Sequence, residues 1–215
     1  MNGETGGAPT GRASAVREKE AIIRALRNHV KGSPLPSVSA VAERRPDPFH
    51  ILVSTMISLR TKDEVTSAAS KRLLSRAPSA EALARLEQRR IAGLIYPAGF
   101  YNTKAKNLKA MAEQLVSRHR GRVPRSMEQL LELPGVGRKT ANLVRNLGYG
   151  IDGICVDTHV HRISNRLGWV QTDTPEQTET ALEEVLPRRY WIPINELLVR
   201  FGQTVCTPLS PFCSR

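Results

Sequence analysis

A short stretch of the chain combines residue types that are suited to binding an anion. Residues 131–141 read Leu-Glu-Leu-Pro-Gly-Val-Gly-Arg-Lys-Thr-Ala, with Gly135 and Gly137 on either side of Val136. Glycine permits a positive φ and places no side chain in the way of an approaching ligand. If a helix begins directly after the turn, its first backbone N–H groups and its positive dipole end would suit a phosphate oxygen. Such a site would bind a nucleic-acid backbone rather than read base edges.

The same turn also has an ordinary explanation, because Gly-x-Gly is common in connections between helices. Pro134 before the first glycine and the basic pair Arg138-Lys139 after the second make the complete string far more specific. The apolar spacing predicts a short helix over residues 126–133 and a second helix that begins again at residue 138. These two helices would position the turn.

Composition points to a nucleic-acid partner. The 215 residues include 32 Lys+Arg and 20 Asp+Glu, which gives a net charge of +12. A surplus of this size indicates a polyanionic partner, although a soluble protein with a merely basic surface would give the same count. No apolar run approaches the ~20 residues that cross a bilayer, so we expect no membrane partner.

The first residues and the cysteines narrow the class of protein further. Residues 1–15 are rich in Gly, Ser, Thr and Ala, which predicts a disordered tail, and they lack the apolar core of a secretory signal. Three cysteines without such a signal argue against a disulfide scaffold. Cys155 lies in an apolar run and is interpreted as a buried thiol. For Cys206 and Cys213, a metal or cluster role and plain burial are both open.

Helical periodicity extends over the chain. No two alternating apolar runs are joined by a two-residue turn, so an all-α protein is predicted. Asp47 before Pro48, and Asp63 and Ser79, are interpreted as N-caps. The predicted helices cover residues 18–30, 48–57, 64–74, 79–86, 104–117, 126–133, 138–147, 158–167, 178–185 and 194–201.

Four motifs together resemble the endonuclease III family of helix-hairpin-helix DNA glycosylases. Residues 133–142, Leu-Pro-Gly-Val-Gly-Arg-Lys-Thr-Ala-Asn, are similar to the family's hairpin signature. Residues 156–160, Val-Asp-Thr-His-Val, resemble its acidic motif at the family's spacing. Residues 57–63 and 99–105 are similar to two of its DNA-facing loops. The similarity runs in register from about residue 48 to residue 213, which is most of the chain.

The resemblance implies a lyase mechanism with two catalytic residues. Lys139 corresponds to the family's nucleophile, whose amine attacks the sugar C1′, expels the base and leaves a Schiff base for β-elimination. Asp157 corresponds to the essential carboxylate, which can stabilise the developing cationic sugar and accept a proton. The alternatives are a surface cation for Lys139 and an N-cap role for Asp157, and the cap is compatible with catalysis.

The resemblance also implies which residues contact DNA once a damaged base has left the duplex. Arg60 and Phe100 would fill the gap, at positions where the family most often has glutamine and leucine. For Phe100, burial in the core is an alternative. For His159, packing at a helix start is an equal alternative to orienting the site. The residues expected at the DNA are Arg60, Phe100, Gly135, Val136, Gly137, Arg138, Thr140 and His159.

The family ends in a loop that holds a [4Fe–4S] cluster through four cysteines. Cys206 and Cys213 have the spacing of its first two ligands, and the next cysteine would fall one residue past Arg215. Two thiolates cannot complete a four-iron cluster. We favour a truncated form of a cluster protein. The alternatives are a natural short form and another metal bound together with a partner.

The resemblance implies two helical lobes with a DNA cleft between them. We expect a six-helix barrel lobe with the hairpin over residues 39–149, and a second lobe from residues 16–38 and 150–215. The expected substrate is double-stranded DNA that carries oxidised pyrimidines or abasic sites, bound by a cytoplasmic, nucleoid-associated monomer. A catalytically inactive DNA-binding module and a mismatch-specific glycosylase are the alternatives.

Overall fold

The computed structural model describes residues 11–213, and every regular element in that range is helical, which confirms the predicted all-α class. In chain order the helices are α1 (Gly11–Val30), α2 (Ser37–Arg44), α3 (Pro48–Ser58), α4 (Asp63–Arg76), α5 (Ala80–Ala84), α6 (Gln88–Ile95), α7 (Tyr101–His119), α8 (Met127–Leu131), α9 (Arg138–Tyr149), α10 (Thr158–Arg166), α11 (Pro175–Val185) and α12 (Trp191–Thr204). A 3-10 turn (Arg188–Tyr190) precedes α12. Within residues 11–213, no helix has both the length and the apolar composition needed to cross a membrane.

The chain divides into two compact units. The central unit is Leu35–Cys155, and the terminal unit consists of the described residues on either side of it. These boundaries lie a few residues from those expected at 38/39 and 149/150. The central unit contains eight helices, α2 to α9, where six were predicted.

Helix α3 forms the centre of the central unit. Its apolar residues occur on every side, and Ile51, Leu52, Val53 and Ile57 have no exposed surface. An all-round apolar helix must be enclosed by other elements, and α2, α4, α7 and α9 pack against it. The approach to α9 is so close that a Cβ on Gly148 would lie 3.1 Å from Cα of Pro48. The helix that bears the hairpin signature is therefore fixed directly to the core.

The terminal unit is built around α12, which packs against α1, α10 and the 3-10 turn. Arg200 of α12 donates hydrogen bonds to the carbonyl oxygens of Val30 and Ser33, just at and beyond the end of α1. A cation that satisfies the last carbonyls of a helix is a favourable C-terminal interaction. This contact ties the first described helix to the last one.

Several local predictions need correction. Residues 11–15, which were expected to be part of a disordered tail, belong to α1, and residues 1–10 lie outside the described residues. Helices α2 and α6 were not predicted. Asp63 is the first residue of α4 and not its N-cap, which is Lys62, and its carboxylate accepts a hydrogen bond from Ser37 at 2.8 Å. The caps at Asp47 and Ser79 are confirmed.

Candidate functional site

The hairpin turn between α8 and α9 is held tightly on its protein side. Gly135 has a φ of +78°, and a Cβ there would lie 2.7 Å from Nδ2 of Asn107 on α7. The neighbouring Val136 is buried, and its N–H donates to the carbonyl of Leu133 at 3.0 Å. Both the left-handed backbone and the lack of space therefore require glycine at position 135.

The outer side of the turn is open. Gly137 occupies the N-cap of α9 with an ordinary extended backbone, and no atom lies within 4 Å of where its Cβ would be. No side chain caps the helix start. A 12-residue helix that begins without a side-chain cap presents backbone donors and a positive dipole end. The exposed Gly137 and Arg138 thus border a place where a phosphate could approach.

Lys139 is the second residue of α9 and is partly buried. Its carbonyl accepts a hydrogen bond from the buried thiol of Cys155 at 3.5 Å, which confirms the interpretation of Cys155 as a buried thiol. Asn146 donates to the carbonyls of Ile151 and Gly153 at 2.9 and 3.1 Å. Residues 151–155, which precede Asp157 in the chain, are therefore held against α9 by hydrogen bonds to Asn146 and to the backbone of Lys139. Thr140, the next residue, is buried.

The structure brings together Arg60 and Phe100, which the resemblance placed in two separate loops. Both have a positive φ, 51° and 56°, and the Arg60 guanidinium lies 5.8 Å from the centre of the Phe100 ring. Phe100 is 64% exposed, so the alternative that it belongs to the core is wrong. The loops touch through their backbones, because a Cβ on Gly99 would lie 2.4 Å from the carbonyl oxygen of Arg60.

Lys104 lies beneath these two loops, and its place in the sequence indicates no role of its own. Its Nζ donates to the carbonyls of Ile57 and Leu59, each at 2.6 Å, and to Oγ1 of Thr61 at 2.7 Å. Burial lowers the pKa of Lys104 to about 8, which leaves the ammonium as the main form at neutral pH. The only available signal was its place in the motif at residues 99–105, since a lysine in a helix is most often solvated.

In the terminal unit, Asp157 is the N-cap of α10. Its Oδ1 accepts the N–H groups of His159 and Val160, each at 2.9 Å, so the predicted cap is confirmed. The His159 ring packs closely against Gly202 of α12: a Cβ at Gly202 would lie only 2.4 Å from Nδ1 of His159. Arg162 donates to the same Nδ1 atom at 3.1 Å. These contacts fit the packing alternative for His159. Lys139 belongs to the central unit and Asp157 to the terminal unit.

The cysteines expected to bind a cluster follow α12. Arg166 donates to Sγ of Cys206 at 3.3 Å, while Cys213 is exposed. Within residues 11–213, no group of three or more His, Cys, Asp or Glu side chains could hold a metal ion. A four-iron cluster needs four ligands, so the residues described here do not fit it by themselves.

A cavity of 790 Å³ lies elsewhere in the central unit. Its lining includes Asp47 and Pro48 at the start of α3, Val123 after the end of α7, and Tyr149 at the end of α9. The hairpin and the Phe100 loop lie at the opposite ends of α9 and α7. None of the predicted site residues lines this cavity, so we assign it no part in the site.

The sequence matches a family model described as "HhH-GPD superfamily base excision DNA repair protein" over residues 53–188. Endonuclease III from Thermotoga maritima is 48% identical over 170 residues, which cover 79% of this chain and 80% of that protein. Endonuclease III homolog 2, chloroplastic, from Arabidopsis thaliana is 45% identical over 204 residues, which cover 91% of this chain and 51% of that protein. The match thus spans about half the length of the plant relative.

The fold has a close counterpart among solved structures. A trapped endonuclease III–DNA covalent intermediate, an estranged-adenine complex, superimposes with a TM-score of 0.82. The sequences are 28% identical, and the match covers 92% of this chain and 91% of that chain. This similarity agrees with the helical architecture built above from caps, apolar faces and the hairpin.

Proposed function

The chain belongs to the endonuclease III family of HhH-GPD base excision DNA repair proteins, and from this premise we propose the lesion and the residues on which it acts. It is a base excision repair glycosylase and lyase. The proposed substrate is an oxidised pyrimidine in double-stranded DNA, or the abasic site that remains. The observation that carries the proposal is the position of Lys139, one residue inside an α9 start that no side chain caps.

The proposed reaction begins when the neutral amine of Lys139 attacks C1′ of the damaged nucleotide. A C1′–Nζ bond forms, the glycosidic bond breaks, and the base leaves with its electron pair. The C1′–O4′ bond then breaks as O4′ takes up a proton, and the sugar opens to a protonated Schiff base. The released base or a water molecule takes the C2′ proton, the C3′–O bond breaks, and the 3′ strand leaves with a 5′-phosphate. Water finally hydrolyses the Schiff base and releases Lys139. Asp157 accepts the proton from the lysine and stabilises positive charge on the sugar. No step of this proposal passes through a metal cluster.

The hairpin would hold the DNA in register for this attack. A phosphate oxygen at the start of α9 would accept hydrogen bonds from the backbone N–H groups of the residues that follow Gly137, and Arg138 would add a positive charge. Because these groups would contact only the sugar–phosphate backbone of the DNA, binding would be independent of the base sequence. Gly135, Val136 and Thr140 would shape the turn beneath the phosphate.

Arg60 and Phe100 would fill the space left by the extruded nucleotide. Phe100 offers an exposed ring that can wedge between base pairs, and Arg60 offers N–H donors for the orphaned base. The Arg60 guanidinium lies over the Phe100 ring, 5.8 Å from its centre, and this proximity supports the proposal that the two side chains enter the duplex together. We further propose that the protein acts as a cytoplasmic, nucleoid-associated monomer.

Borohydride trapping on a duplex with one thymine glycol tests the proposal. Wild type should give a covalent protein–DNA adduct, and Lys139→Gln should give none while still binding the duplex. Lys71→Gln removes an exposed lysine of α4 and serves as the matched control. Binding of wild type without any adduct would instead favour an inactive DNA-binding module.

A panel of duplexes distinguishes the remaining alternative. The proposal predicts that thymine glycol and other oxidised pyrimidines are excised and that an intact G·T mismatch is not. Excision confined to the mismatched thymine would identify a mismatch-specific glycosylase. Adduct formation with every duplex that carries an oxidised pyrimidine, and none with the G·T mismatch duplex, would agree with the proposal.

A further inference from the structure

Lys104 occupies a position that no local rule of helix formation explains. Its side chain is 7% exposed, and a lysine is rarely buried unless it is paired. Its ammonium group donates three hydrogen bonds. Two of the acceptors are the carbonyls of Ile57, in the last turn of α3, and of Leu59, the C-cap of α3. Those carbonyls are among the acceptors that a helix leaves unsatisfied at its end. The cation also faces the negative end of the α3 dipole.

The third acceptor connects this cation to the loop that carries Arg60. Oγ1 of Thr61 accepts from Lys104 at 2.7 Å and also from the backbone N–H of Gly99 at 3.0 Å. Leu59 and Thr61 are the two neighbours of Arg60 in the chain. The residues on both sides of Arg60 are therefore bound to one ammonium group.

The main chain of Lys104 is also bonded to Phe100. Its own backbone N–H donates to the carbonyl of Phe100 at 2.9 Å, because Phe100 is the N-cap of α7 and Lys104 is one turn further on. Phe100 and Arg60 both have left-handed backbones, which non-glycine residues adopt only when their surroundings enforce it. The backbone bond to Phe100 is one that any non-proline residue at position 104 would make, so the side chain acts by another route. Its ammonium group binds the Arg60 loop directly and reaches the Phe100 loop through Thr61, whose Oγ1 also accepts from the N–H of Gly99.

We propose that Lys104 is a positioning residue that couples the Arg60 and Phe100 loops into one rigid DNA-inserting unit. This inference rests on the proposed function in one respect, namely that Arg60 and Phe100 are the inserted side chains. Lys104 itself is beneath the loops and would not touch DNA. It acts by fixing where the two side chains stand relative to each other.

The test uses the whole protein and a duplex with an uncleavable tetrahydrofuran residue opposite 2-aminopurine. Fluorescence of 2-aminopurine rises when its stacking is opened, so the signal reports insertion and does not depend on Lys139. Lys104→Met keeps the length and removes all three donors, and we expect the Kd for this duplex to rise about tenfold, in line with the loss of charge-assisted hydrogen bonds. The fluorescence at saturation should also fall.

Lys109→Met is the matched control. Lys109 lies on the same helix and also donates to two main-chain carbonyls, those of Ala84 and Leu86 at 2.9 and 3.1 Å, which belong to neither loop. It also pairs with Glu113 at 3.0 Å. Its replacement should leave the Kd and the saturated fluorescence within about twofold of wild type, because it removes a comparable structural contact only. Equal losses from the two variants would overturn the inference.

A double-mutant cycle separates positioning from general damage. When Arg60→Ala and Phe100→Ala are both present, adding Lys104→Met should change the Kd by less than about twofold, because nothing remains to be positioned. A full tenfold loss in that background would overturn the inference. Thr61→Val, which deletes one hydroxyl, should act in the same direction as Lys104→Met with a smaller effect, and it serves if Lys104→Met does not fold.

The outcomes also distinguish this inference from the proposed function. A wild-type fluorescence rise that is unaffected by Lys104→Met would overturn the role of Lys104 alone. No rise with wild type would overturn insertion, and with it both proposals for Arg60 and Phe100. Absence of the borohydride adduct would overturn the proposed chemistry without changing the fluorescence result.

Discussion

Replacing Gly137 by serine should make the protein more stable and weaken its binding to DNA. Gly137 is the N-cap of α9, its backbone angles of −101° and 177° suit any residue, and no atom lies within 4 Å of its Cβ position. A serine N-cap is favoured over glycine by a few tenths of a kcal/mol. Loss of a flexible glycine from the unfolded chain adds roughly 0.5 kcal/mol. We therefore expect Gly137→Ser to raise the free energy of unfolding by about 0.5–1 kcal/mol.

The loss of DNA affinity follows from the same hydrogen bond. The serine hydroxyl would take the backbone N–H of the second or third residue of α9, which the proposed phosphate would otherwise use. A hydrogen bond to a charged group contributes about 1.5–3 kcal/mol, so the Kd should rise roughly 10- to 100-fold. The salt dependence of binding should not change, because no cation has been removed.

Two measurements check this prediction: urea unfolding, and fluorescence anisotropy with a tetrahydrofuran duplex at several salt concentrations. Gly93→Ala is the matched control, since Gly93 lies within α6 with nothing near its Cβ position. It should add about 1 kcal/mol of stability and leave the Kd unchanged. If Gly137→Ser were more stable yet bound DNA as tightly as wild type, the phosphate site could not be at the start of α9.

Three further predictions concern single residues of the site. Gly135→Ala should cost about 2 kcal/mol in urea unfolding, because it combines a left-handed backbone with a methyl group 2.7 Å from Nδ2 of Asn107; an unchanged midpoint would contradict this. Asp157→Asn should preserve the N-cap and the unfolding free energy to within about 0.5 kcal/mol, yet slow single-turnover base excision by about 100-fold or more; comparable rates would remove Asp157 from catalysis. For Lys104, the folded pKa of about 8 lies below the unfolded value of 10.5, so unfolding takes up a proton between these pH values. Raising the pH from about 7.5 to about 9 should therefore stabilise wild type by about 1 kcal/mol relative to Lys104→Met in urea unfolding, and a difference of opposite sign would refute the assignment.

Those parts of the site that depend on neighbours in the chain could be predicted from sequence. Asp47 and Asp157 each precede a helix and cap it with two backbone N–H bonds, and the signal for this lies within four residues. The requirement for glycine at position 135 follows from a turn between two helices in the same way. Asp63 shows the limit, because the helix begins one residue earlier than the local signal predicts, and its carboxylate instead accepts from Ser37, 26 residues earlier in the chain.

The contact between the Arg60 and Phe100 loops depends on pairings that sequence does not encode locally. Lys104 binds acceptors that are 43 to 47 residues earlier in the chain, and its helical neighbours give no sign that its amine is buried. A lysine among polar residues of a helix is typical of a solvated position, so the periodic pattern favours the wrong environment. Only the fold, by bringing the end of α3 against the start of α7, makes that amine a direct partner of the Arg60 loop and, through Thr61, an indirect partner of the Phe100 loop. The residues proposed to contact DNA can therefore be recognised from their motifs, whereas the positioning role proposed for Lys104 follows from the hydrogen bonds that its buried amine makes.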